Sequence, residues 1–136
     1  MKPSVLFLLF LLTAPAIEAQ EVDFKGTWTM FEMVYIVGEN TQKMTEDMMK
    51  INNAFTDLFI MEAGKFRQTS NMAGSGTTET YEGTWKVVEN KLIFTLIINN
   101  QPMDVDYTWE MKPSSLILTR TSPDGSMKIV SSYKKK

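Results

Sequence analysis

The groups in this chain that could do chemistry are carboxylates, phenols, an arginine inside an apolar run, three tryptophans and eleven methionines. There is no histidine and no cysteine. That removes thiol nucleophiles, Ser-His-Asp triads, zinc held by His or Cys, haem on His, and every disulfide. General acid-base catalysis needs a perturbed acid and base within reach of one substrate, and the spacing of Glu32, Tyr81 and Tyr107 supplies no such pair. Asp104 and Asp106 share one strand face, where solvation explains them. The expectation is a non-enzyme with no metal and no cofactor.

Three residue classes carry a binding reading beside a structural one. Arg120 follows Leu116 and Leu118 in strand parity, so its guanidinium either meets a ligand carboxylate with its fork of donors or snorkels from a strand end into water. The methionines form a soft, adaptable pocket lining or fill gaps in the core. Thioether ligation of Cu(I) is the rival, but no dense Met-x-x-Met cluster with His or Cys accompanies them. Trp28, Trp85 and Trp109 either stack on a ligand or plug the core.

These groups need elements to position them, and the 136 residues allow one domain. The net charge of -2, without basic clusters apart from the terminal lysines, argues against nucleic acid as a partner. At the start, Met1-Lys2, the apolar run 5–12 and the small residues Ala14, Ala16 and Ala19 match a secretory signal peptide. Its apolar run is too short to span a bilayer. Cleavage is expected after Ala19, with Ala16 as the competing point, which leaves a domain at 20–136. The expected address is secreted or periplasmic, and the mature chain carries no segment apolar enough to cross a membrane.

From Phe24 onward the pattern has mostly period two. Met103, Val105, Tyr107, Trp109 and Met111 fall on one strand face and Asp104, Asp106, Thr108 and Glu110 on the other. Tyr81, Gly83, Trp85 and Val87 repeat this, as do Leu92, Phe94, Leu96 and Ile98 after the Glu89-Asn90 turn. Turns at 99–102, 113–115 and 123–125 lead into further strands at 103–111, 115–121 and 126–133, and short strands are expected at 58–62 and 65–70. The first strand runs from about 25 to 37, with Glu32 inward by parity with Trp28 unless a bulge intervenes. Met44, Met48, Ile51 and Phe55 form a helical stripe, which predicts a helix over 41–55 capped by Thr41.

The fold class is therefore all-β: eight antiparallel strands and one short helix after strand one. An open meander of this size leaves two edges able to pair with other chains, so the strands are expected to close as an up-and-down barrel. Eight strands enclose side chains or one small ligand. Strand direction gathers Trp28, Trp85, Trp109, Leu92 and Leu116 at a closed base. The ligand-lining positions toward the mouth are Tyr81, Phe94, Leu96, Met103, Val105 and Tyr107, then Leu118, Arg120, Met127 and Ile129, with Met48 from the helix.

Phe24-Lys25-Gly26-Thr27-Trp28 resembles the Gly-x-Trp opening of lipocalins and of the wider calycin group, which includes fatty-acid-binding proteins and avidins. The likeness is greatest to small lipocalin-like domains of secreted bacterial proteins. It implies an eight-stranded barrel, here a monomer, around a small hydrophobic molecule. The family's basic residue over the tryptophan is not assigned, because Arg120 falls at the opposite rim, and the helix is more like the lid of fatty-acid-binding proteins. A non-catalytic interaction or inhibitor module with a filled core is the alternative, with Ile93, Ile97 and Ile117 as hints of an outer apolar patch.

Overall fold

The computed structural model describes residues 23–72 and 76–136. The expected signal peptide and its cleavage point lie outside the described residues. Nine strands follow one another: β1 Gly26–Val37, β2 Asn40–Met44, β3 Phe55–Ile60, β4 Lys65–Asn71, β5 Glu79–Val88, β6 Lys91–Ile98, β7 Gln101–Lys112, β8 Ser115–Thr121 and β9 Met127–Lys135. A single helix among the described residues, α1 Glu46–Ile51, separates β2 from β3, and a short 3-10 turn, Glu62–Gly64, joins β3 to β4. All pairings are antiparallel, and β1 pairs with β9 from Trp28 to Val37, which closes a ring of eight strands. The up-and-down barrel expected from period two is present.

The ninth strand is a correction. Residues 40–44 do not begin a helix but fold back on β1, with Val37 opposite Asn40 and Met33 opposite Met44. Gly38, at φ 59°, supplies the left-handed residue of the turn. The methionine stripe thus ran across a strand-helix boundary: Met44 follows the strand's period and only Met48 and Ile51 belong to α1. The helix is capped by Thr45, whose hydroxyl accepts from Met48 N–H at 3.3 Å, and not by Thr41. Within it Met49 enters the core at 3% exposure, while Met48 and Ile51 are 44% and 80% exposed.

Strands β3 and β2 share one edge of β1 in tandem. β3 pairs with Gly26 to Thr29, and β2 with Met33 to Val37. In the interval the register of β1 against β9 shifts between Met30 and Glu32, a bulge that keeps Trp28, Met30 and Met33 inward. Glu32 accordingly faces out, where it pairs with Lys43 of β2 at 3.2 Å. Helix α1 packs on β1 across this interval, and Glu46 reaches Lys134 of β9 at 2.7 Å.

The base is closed by indoles, as the strand directions required. Phe24 lies edge-on to Trp109 at 5.0 Å and to Trp85 at 6.1 Å, and its carbonyl accepts the Trp28 indole N–H at 2.9 Å. Leu58, directly opposite Trp28, and Leu92 and Leu116 join this core at 1% exposure or less. A basic residue does cover Trp28: the Lys135 ammonium stands 5.5 Å from its ring centroid, within cation–π range. It arrives from the last strand and passes beside Gly26. What calls for glycine at 26 is its φ of 137°, a conformation that side chains rarely adopt; an added Cβ would meet only the flexible end of Lys135, at 2.9 Å from Cε. The Gly-x-Trp motif therefore has a local physical reason.

Truncating the central indole removes a buried ring and leaves a cavity in a packed floor. Trp28→Ala is expected to lower the unfolding free energy by about 3–5 kcal/mol in urea titrations. A loss below about 1 kcal/mol would show that Trp28 does not hold the base.

Candidate functional site

Above the indole floor the inner face changes character. Phe66 of β4, Phe94 of β6 and Tyr107 of β7 form an edge-on series, with centroids 4.7 Å and 5.8 Å apart. Gly83 stands between Phe66 and Leu96 in the cross-strand rows. A side chain there would overlap the Thr95 carbonyl and meet the Phe66 ring at 3.0 Å, so the β5 backbone passes close to its neighbours. The resulting space is a lobe of about 220 Å³ lined by Phe66, Gln68, Tyr81, Phe94, Leu96, Ile98, Met103, Val105, Tyr107 and Arg120.

A second lobe of about 210 Å³ lies toward β1, β3 and β9. Its wall comprises Met30, Met33 and Tyr35 from β1, Thr56 from β3, Gln68 and Ser70 from β4, Met72, and Ile129, Ser131 and Tyr133 from β9, with Tyr107 and Arg120. Gln68, Tyr107 and Arg120 line both lobes and form the divide between them.

The sequence-derived positions are distributed as follows. Tyr81, Phe94, Leu96, Met103, Val105, Tyr107 and Arg120 meet in the first lobe, and Ile129 joins Tyr107 and Arg120 in the second. Leu118 lines neither, because it sits between Trp109 and Ser131 in the floor at 2% exposure. Met127 lines neither, because it opens β9 opposite Val37 at the lip. Met48 points away on the exposed side of α1. The inner polar positions Thr56, Gln68, Ser70 and Ser131 were passed over, although Gln68 and Ser70 share the parity of Phe66 and Ser131 that of Ile129. Parity carried the signal; their polarity hid it.

Solved structures with a similar fold are known. The barrel matches an uncharacterized protein from Bacteroides eggerthii with a TM-score of 0.52 and 17% identity, over 84% of this chain and 100% of that one. A mutant of the fluorescent protein UnaG aligns with a TM-score of 0.43 and 14% identity, over 83% of this chain and 96% of that one. No protein-family model and no curated protein matches the chain. What the likeness shows is the fold, a closed eight-stranded antiparallel barrel.

Electrostatics in the cup follow from burial. The Tyr107 phenol is pushed up chiefly by desolvation, with the Arg120 charge opposing. Tyr133 is pushed up further by full burial and by the neighbouring Tyr107, against a hydrogen bond from Ser131. At the lip, Asp124 accepts from the Ser126 amide and from the Ser126 and Ser122 hydroxyls, which holds its carboxyl at about 2.

Both inner phenols have folded values above the ordinary 10.0, so the neutral form stabilises the fold. That contribution is whole below pH 10 and is lost as the pH rises through the folded values. Ultraviolet titration of phenolate is expected to show Tyr107 and Tyr133 ionising only at alkaline pH together with loss of stability. Arg120→Leu should move Tyr107 later still. Early, reversible ionisation of both phenols in the folded protein would contradict their burial.

Proposed function

We propose that this chain is a secreted or periplasmic, lipocalin-like carrier that holds a small hydrophobic ligand inside its barrel, as a monomer and without catalysis. The observation that carries the reading is a cup stoppered by indoles at one end and left with two unfilled lobes toward the other. An interior meant only for stability would be packed to the density of the floor. The secreted or periplasmic address rests on the pattern in residues 1–19. No helix among the described residues is long and apolar enough to cross a membrane.

Binding in such a site draws on burial of the ligand's apolar surface, with a few polar groups fixing orientation. Arg120 is the orienting group. It lines both lobes, lies beside Tyr107, and has no ion-pair or hydrogen-bond partner among the described residues. Its planar fork suits a carboxylate.

Native mass spectrometry of the purified protein should reveal a retained small molecule, and the stripped protein should enhance N-phenylnaphthylamine fluorescence. Dodecanoate should displace that dye more weakly in Arg120→Leu by about tenfold, the loss of one charge-assisted hydrogen bond, with dodecanol unchanged. Equal losses for acid and alcohol would remove the anchoring role, and absence of dye uptake would remove the carrier reading.

A further inference from the structure

The two lobes differ in chemistry, and that difference restricts what can fill them. The wall on β4 to β7 is mostly aromatic and aliphatic carbon. The opposite wall is lined by Thr56 and Ser70, which are 2% and 9% exposed. Neither hydroxyl has a hydrogen-bond partner among the described residues, and the same holds for the Gln68 amide and the Tyr107 phenol. These four groups come from three strands and converge on one space. None of the four is a sealed, unsatisfied atom; they open onto the cup, where an occupant with donors and acceptors of its own can pair with them and a plain hydrocarbon cannot.

Size leads to the same end. Each lobe, at about 220 and 210 Å³, is smaller than the roughly 300 Å³ at which ligand pockets begin, and only together do they reach it. One molecule must therefore meet both walls. A plain hydrocarbon chain suits the carbon wall and leaves the hydroxyl wall unanswered.

Building on the carrier reading above, we propose that the ligand is a facially amphipathic acid. It lies across the cup with hydroxyls along the side facing Thr56 and Ser70, carbon along the side facing Phe94 and Val105, and its carboxylate at Arg120 on the divide. Specificity then resides in the polar wall and not in the floor or the lip.

The test is isothermal titration with a matched pair of probes: cholate, a ring acid with hydroxyls on one side, and cholanate, the same ring acid without them. Hydrophobicity alone favours cholanate, so tighter binding of cholate is the expected and diagnostic result. The double variant Thr56→Val, Ser70→Ala should cut the preference for cholate by about tenfold, two neutral hydrogen bonds, while leaving cholanate affinity in place. Ser70→Ala alone, the milder change, should cut it by about threefold. Tighter binding of cholanate, or an unchanged preference in either folded variant, would overturn the inference. Uptake of N-phenylnaphthylamine with rejection of both acids would overturn it as well while sparing the carrier reading; loss of dye binding too would remove both.

Discussion

The barrel depends on one strand meeting three partners. β1 hydrogen-bonds to β9 along nearly its whole length, while its other edge is divided between β3 near the floor and β2 near the lip. A regular strand with twelve residues in one register could not do this and keep its apolar side inward, because the alternation of side chains would carry Glu32 into the cup. The bulge after Met30 resets the alternation, and Met33 turns inward while Glu32 finds Lys43 outside. The same interval admits α1 and with it Met49, so one irregularity both closes the sheet and seats the helix.

Stability and space are separated along the barrel axis. The floor concentrates the large rings, the leucines at or near zero exposure and the cation over Trp28. The upper cup carries the opposite composition, with hydroxyls, an amide and two raised phenols on inward positions, beside the exposed guanidinium of Arg120. Such groups cost stability when buried without partners and are retained where a site requires them. The floor offsets that cost. Methionines border the polar lobe from β1 and from Met72, and their flexible thioethers let the wall adjust to the shape of what it holds.

Much of this was legible in the residue order. Alternation placed Phe94, Leu96, Val105 and Tyr107 on one surface, and the turns at Asn99-Asn100 and Asp124-Gly125 set strand directions that brought Trp28, Trp85 and Trp109 to the same end. The two hairpins bearing Trp85 and Trp109 repeat the same offset, with Trp85 opposite Phe94 and Trp109 opposite Leu118. The helix was misplaced because methionines at 44 and 48 satisfy a helical interval by coincidence, while the turn at Gly38 and the pairing of 40–44 with β1 override local preference.

What the sequence determined by itself was the kind of structure: period two and turn chemistry are local properties, and they set the eight strands of the ring, the parity within each regular run and the tryptophan-lined end, but not the added strand β2 or the outward turn of Glu32. The tertiary structure decided which inward residues face empty space. Leu118 and Arg120 have the same parity two residues apart, yet one is buried between Trp109 and Ser131 and the other lines both lobes. Lys135 covers Trp28 only because strand nine returns to strand one. Height in the barrel, register across a bulge and convergence of Thr56 with Ser70 and Gln68 arise from pairings between distant segments, which no local pattern encodes.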